Sequence, residues 1–483
     1  MVGRALTLVA VLGITSPSLV SAQAARPGTP PARVTLHARN TTRVESWRFF
    51  EPNAGGGEPR YTFIANRLLA TADVRMPHVD LAAGVQFVQF GNLPDRASGP
   101  GPLGTGPQYF DHAGSRHSRG VYLRTVNIRW TPPVAGLRVQ AGRFGYASGG
   151  ESPSGDAAIE AVKRLRVDSR LVGEFEWSIF QRSFDGVRGD FDRARWHATG
   201  TWLRPTQGGF EEQAGRSLRD VDIATASLSV KPGAILPHTD WQAFVVRYDD
   251  TRKVTGRPDN SGLAAARADV HVTSTGGTVV GVYPTRRGRI DVLGWVVRQG
   301  GDWYGQTHAA SAVAVEVGHQ WLRAPGQVWL RAGVLSSSGD SDPADARHET
   351  FFQVLPTGRK YSLSTISNLM NATDVFVQAV VKPVARVTVR GDVHRLTLTN
   401  AKDLWYAGSG ATTRTGAVFG FAGRRSNGST DLGTVTEASA DWAVGPHLSI
   451  NGYLGRVSGG RVVTGTFAGR VLRFGYVEAV VAF

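Results

Sequence analysis

YTFIANRLLATADVRMPHVDLAAGVQF, residues 61–87, holds two long alternating segments joined by a tight turn. In the first, Ile64, Leu68, Ala70, Ala72, Val74 and Met76 share one face, and Arg67, Thr71, Asp73 and Arg75 share the other. In the second, Val79, Leu81, Ala83, Val85 and Phe87 oppose Asp80 and Gln86. Alternation at period two is the mark of a strand with one apolar face, and these segments exceed the five or six residues usual in soluble sheets. The MPHV turn contains a proline, which fixes φ and donates no amide hydrogen, so it belongs between strands rather than inside one.

The same pattern recurs in ARWHATGTWLRP (194–205) and ARVTVRGDVHRL (385–396). Further tight turns begin near Thr131, Asp190, Lys231, Tyr283, Arg323, Lys382 and Ala443. Long polar loops alternate with them at 91–118, 145–179, 336–373 and 400–433. Short turns at one end and long loops at the other predict an all-β fold: a transmembrane up-and-down antiparallel barrel of about eighteen strands, with short periplasmic turns and long extracellular loops. RFGYVEAVVAF, 473–483, reads as the closing strand, with Val477, Ala479, Val481 and Phe483 on an apolar face covered by lipid. Its predicted partner is the first strand, near Arg33 to Trp47, a pairing that removes both sheet edges.

Residues 1–22 read as a secretory signal peptide, with a second cleavage point after Ala24. Arg4 precedes an apolar core from Leu6 to Ile14, which is too short to span a bilayer. Residues 23–32 then form an N-terminal periplasmic segment and 33–483 the barrel. The 483 residues contain no cysteine, so stability has to come from the fold alone.

Lys and Arg number 54 against 39 Asp and Glu, a net charge of +15. In an exported chain without a nucleic-acid-binding motif, that surplus points to anionic solutes rather than nucleic acid. Strand parity assigns Arg67, Arg75, Arg129, Arg138, Arg182, Arg188, Arg195, Arg247, Arg331 and Arg390 to the lumen, interspersed with Asp73, Asp190 and Asp392. A pore lined by permanently charged guanidinium forks attracts carboxylates and repels cations; alternatively, such arginines pair with neighbouring acids and stiffen the wall. Parity puts Arg124 and Arg143 on the lipid side, at the outer rim.

SPSGDAAIEAVKRLRVDSRLVGEFEW, 152–177, offers Ser154 or Asp156 as a cap for a short helix carrying Ile159, Val162 and Leu165. Such a loop either folds into the pore or packs outside it. Asp340, Asp342 and Asp345 of SGDSDPAD are a weak calcium candidate beside the plainer reading of a solvated loop. There is no GxSxG elbow and no nucleotide-binding loop, so neither an enzyme nor a cofactor is expected.

RLVGEFEWSIFQRSFDGVRGDF, 170–191, resembles the central motif of the alginate export family of outer-membrane barrels. SGDSDPADARHETFFQVLPTGRKY, 338–361, and DLWY, 403–406, resemble further family stretches. The resemblance implies a porin in the outer membrane of a Gram-negative bacterium whose lumen exports an anionic polysaccharide such as alginate. Cargo would then be delivered by periplasmic export proteins. It marks Trp177, Arg182, Asp185 and Arg188 as motif residues. The alternative on the same scaffold is a general diffusion porin for small anionic solutes.

Overall fold

The computed structural model describes residues 32–97, 104–263, 267–357, 362, 364 and 366–483; the signal-peptide reading falls outside them. Among the described residues, eighteen long strands pair antiparallel, each with the next, into one sheet. They begin with β1 (Arg33–Arg48), β2 (Arg60–Arg75), β3 (Val79–Gly91), β4 (Arg119–Trp130), β5 (Leu137–Phe144) and β6 (Phe184–Asp192). β7 (Trp196–Pro205), β8 (Val221–Val230), β9 (Thr239–Asp250), β10 (Val270–Pro284), β11 (Arg289–Trp303) and β12 (Gln306–Gln320) follow. β13 (Trp329–Ser337), β14 (Ala372–Val384), β15 (Val387–Leu398), β16 (Asp431–Ala443), β17 (Leu448–Gly459) and β18 (Val471–Ala482) complete the wall.

The sheet closes on itself, as the apolar last strand requires. β18 pairs with β1 in a register running from Arg39↔Ala482 to Arg48↔Arg473. Beyond it, Ala38 and Phe483 exchange both backbone bonds, at 3.1 and 2.9 Å. Every proline-bearing turn read from the sequence lies at the same end as these termini. The opposite end carries the long connections. One of them is short: β11 and β12 are joined by Tyr304 and Gly305 alone, at φ 52° and 83°. Two successive left-handed residues match the twist of a two-residue hairpin.

The outward face is apolar through the middle of the wall, where Val44, Ile64, Val126, Val187, Val315, Val377, Leu454 and Val477 are exposed. In water that surface would be a liability; in a bilayer it is the lipid contact. Trp130, Trp196, Trp241, Trp442 and Phe483, also exposed, ring the short-turn end and form the interfacial aromatic girdle. At the long-loop end, outward positions carry arginine instead.

The barrel is not hollow. Its long-loop half is filled by two clusters of buried apolar residues. These include Tyr109 from the helix α1 (Thr105–Ala113) and Ile159 and Val162 from α2 (Ala157–Arg166). Asp156 caps α2, accepting from the Ala158 and Ile159 amides at 2.8 and 3.3 Å. The helix read from the sequence therefore exists and folds into the pore.

An arginine-lined lumen with an internal plug

The plug begins where β5 ends. Its helix delivers Arg166, and the turn after it delivers Arg170, both fully buried, to Glu316 on β12. Arg166 Nε donates to Glu316 Oε2 at 2.8 Å, and an Arg170 amino group donates to Oε1 at 3.0 Å. Arg331, on the neighbouring β13, donates to Glu316 at 2.9 Å and also to Asp291. Asp291 accepts as well from the Trp329 indole at 2.7 Å. Three guanidiniums thus share two carboxylates out of water. Such an arrangement persists only when every charge has a partner.

After Arg170 the chain crosses the lumen and meets a second inward segment, 338–357. Val172 and Leu355 form a parallel β-bridge. Leu355 N donates to Leu171 O and Gly173 N to Leu355 O, both at 2.8 Å. The segment 176–178 then lies against the wall. Arg67 donates to Ser178 O at 3.0 Å, and Arg43 to Trp177 O at 2.7 Å. Arg43 is held by Glu478 on the adjacent β18, at 2.6 Å. The Trp177 ring packs edge-on against Phe175, with centroids 5.2 Å apart.

The arginines assigned to the lumen divide into distinct groups. Arg67, Arg75, Arg129, Arg138, Arg188, Arg331 and Arg390 lie on the inner side of the wall. Three of them are neutralised there. Arg188 grips Asp190 with two bonds of 2.8 Å, Arg390 reaches Asp392 at 2.6 Å, and Arg331 belongs to the Glu316 cluster. Arg75, Arg129 and Arg138, towards the short-turn end, have no ion pair among the described residues. Asp80 stands between Arg75 and Arg129 in register.

Arg182 is not on the wall. It sits in the plug, wholly buried, with an amino group donating to Ser409 O at 2.9 Å and its guanidinium beside the Phe175 ring. Arg195 is not in the lumen either; it lies in the short turn before β7 and is exposed. Arg247 faces outward and pairs with Asp249 at 2.6 Å. Its neighbours Val246 and Tyr248 point inward because the plug makes the inner face apolar at that level, which reverses the parity cue.

Arg124 overturns the expectation of a lipid-facing side chain. A bulge between Gly84 and Val85 of β3 leaves Arg124 as the extra residue of β4. Val121 and Leu123 before it, and Val126 and Ile128 after it, all stay exposed on the outside, while Arg124 turns inward to Glu174 and Ser183. Arg143 remains outside near the outer end, bound to Asp185 at 2.6 Å; the motif residue Asp185 therefore anchors the outer wall. Sequence reasoning missed Arg43, Arg166 and Arg170. In SPSGDAAIEAVKRLR, Arg166 follows the helical spacing of Ile159 and Val162, and that spacing was its one available signal; Arg170 lies past the end of the helix and had none.

Asp340, Asp342 and Asp345 do not converge. Asp340 accepts from the Asp342 amide at 3.1 Å, Asp342 from Ala344 at 3.2 Å and Asp345 from Arg347 at 2.7 Å, so each caps its own turn. Burial raises the Asp340 carboxyl to about 6, with repulsion from Asp403 and Asp345 adding to the shift.

Above the plug a cavity of about 880 Å³ is lined by His112, Glu211, Lys253, Arg414 and Arg424 among others. A smaller one of about 100 Å³ lies beside Trp177, Gln353 and Asp374. A closed barrel with an apolar exterior, charged inner wall and folded-in loops is a passive channel scaffold. The sequence model of the alginate export family matches residues 163–468. The chain belongs to the alginate export family. Comparison with curated protein sequences finds no match.

Solved structures share the barrel of this alginate export family member at low identity. OccK2 (OpdF) of Pseudomonas aeruginosa in complex with glucuronate is 9% identical with a TM-score of 0.56, over 93% of this chain and 98% of that one. OpdK of Pseudomonas aeruginosa with vanillate gives the same four values. OccAB2 of Acinetobacter baumannii is 9% identical with a TM-score of 0.57, over 93% and 98%. The family and the shared barrel place the protein in the outer membrane of a Gram-negative bacterium as a passive channel.

Proposed function

We propose that this member of the family is an anion-preferring diffusion channel for small carboxylate-bearing solutes of about sugar-acid size. The observation that carries this reading is the distribution of unpaired charge. Deeper in the lumen Arg188, Arg331 and Arg390 are matched by acids and Arg67 is held by the Ser178 carbonyl, and the long-loop half is occupied by loops bridged to one another at Val172 and Leu355. Arg75, Arg129 and Arg138, towards the short-turn mouth, have no ion pair among the described residues. Spaced guanidiniums there give a carboxylate several weak, similar contacts and no single deep well, which conduction requires. Two of the solved barrels hold small carboxylates, glucuronate and vanillate, in their own structures.

The second reading is export of an anionic polysaccharide such as alginate, with periplasmic proteins delivering it. The family match favours it. A polymer would need the bridged loops to part. Residues 1–22 as an export signal, and 33–483 as the barrel, accord with both readings.

Single-channel recording in a planar bilayer under a salt gradient tests both. Anion selectivity with current relieved quickly after glucuronate pulses supports the small-solute channel. Sustained block by oligouronates with no passage of the monomer would replace it with the exporter, and cation selectivity would sink both.

A further inference from the structure

Arg48, Arg60, Arg456 and Arg473 lie side by side on the outside of the barrel. They occupy four adjacent strands in direct register: Arg456↔Arg473, Arg473↔Arg48 and Arg48↔Arg60. Neighbouring strands are about 4.8 Å apart, so four positive charges fall within roughly 15 Å. All four are exposed, and none has an ion pair among the described residues. Like charges directly opposite each other on a sheet face repel, and elsewhere this wall avoids that by pairing, as Arg143 does with Asp185.

The height of the row fixes what it meets. On β1 the outward positions below Arg48 are Ser46 and then Val44; on β2, below Arg60, they are Thr62 and then Ile64. Thr62 donates to the Ser46 hydroxyl at 3.0 Å. Val44 and Ile64 are exposed members of the apolar band, as are Leu454 and Val477 on the other two strands. The layer directly below the arginines is Thr62, Ser46, Gly475 and Leu454, so the row stands at the upper edge of the apolar band, which is head-group depth. This is the long-loop end, opposite the aromatic girdle, and so the outer leaflet.

We propose that this row is a binding site for the phosphorylated glycolipid of the outer leaflet, its head-group phosphates seated between the guanidiniums of β17, β18, β1 and β2. A guanidinium fork takes a phosphate with two parallel bonds and stays charged at any working pH. Acyl chains of the same molecule then lie down the face carrying Val44, Ile64, Leu454 and Val477. The site spans the seam where the last strand meets the first, so a bound lipid clamps the barrel at its closure. It is independent of what the lumen conducts.

The test uses the full-length protein in detergent, titrated with bis-phosphorylated lipid A and, separately, with inorganic phosphate. Native mass spectrometry counts bound lipid, and thermal unfolding reads stabilisation. Lipid A should bind the wild type and raise its unfolding temperature. The variant R48Q/R60Q/R456Q/R473Q should bind at least about tenfold more weakly, since it loses the charge-assisted hydrogen bonds to phosphate. Without lipid the variant should unfold no earlier than the wild type, because repulsion has been removed. The double variant R456Q/R473Q reads the same loss if the quadruple one does not assemble. Undiminished lipid A binding by these variants, or equal stabilisation by inorganic phosphate, overturns the proposal.

Discussion

Val172 and Leu355 meet as a parallel β-bridge inside the barrel, and through that contact two loops from opposite parts of the wall become one plug. Neither loop presents a continuous apolar face alone. Together they cover the inward-facing Val246, Tyr248, Val270 and Val272. Because the natural chain has no cysteine, a disulfide between V172C and L355C would be the only one in the molecule. For a small-solute channel with a fixed plug, conductance in the oxidised form should stay within about twofold of the reduced form. A large fall reversed by dithiothreitol would mean that the loops separate during conduction.

Glu316 is the counter-charge on which Arg166, Arg170 and Arg331 depend. Glu316→Gln keeps the shape and removes the charge, leaving Asp291 to serve all three. Breaking a buried ion cluster in this way typically costs about 3–5 kcal/mol. The variant should unfold at clearly lower temperature in detergent, and plug residues near Arg170 should become protease-sensitive first. Wild-type stability would mean that water already reaches the cluster.

Selectivity should follow side-chain direction rather than arginine count. Replacing Arg129 and Arg138 by Gln should move the reversal potential under a salt gradient towards the non-selective value. Arg247→Gln, on the outer face beside Asp249, should leave it unchanged. Equal effects from both would mean that long-range charge, not the lumen lining, sets the preference.

The Asp340 carboxyl, raised to about 6 in the folded loop against about 3.9 unfolded, makes that loop more stable in mild acid than at neutral pH. Between these values the folded form holds more protons than the unfolded one. Its stability is therefore greatest near pH 4, declines as pH rises to about 6 and is flat above that. Amide exchange in 338–350, corrected for intrinsic rate, should show protection falling across that window. D340N should remove the dependence; an unchanged slope would assign it to another group.

The barrel was legible in the sequence because its determinants are local. Period-two alternation and proline-marked turns report strand after strand without reference to anything distant. The lumen was legible only where water or charge lines it. At Arg129, Arg138, Arg188 and Arg390 the polar-inside rule holds, and parity put these side chains on the correct face. At Arg247 the plug makes the interior apolar, and the rule inverts. At Arg124 one bulged residue resets the count, a feature that no alternation score carries. Arg182 has no strand to take parity from.

The Glu316 cluster also orders events in time. Arg166 and Arg170 precede their carboxylate by 150 and 146 residues. Until β12 and β13 stand in the wall, those two cations have no place to be buried, and closing so long a loop early is entropically unrewarded. The wall is thus the template and the plug its late casting. Assembly in the membrane would pass through a wide, water-filled ring before the interior fills.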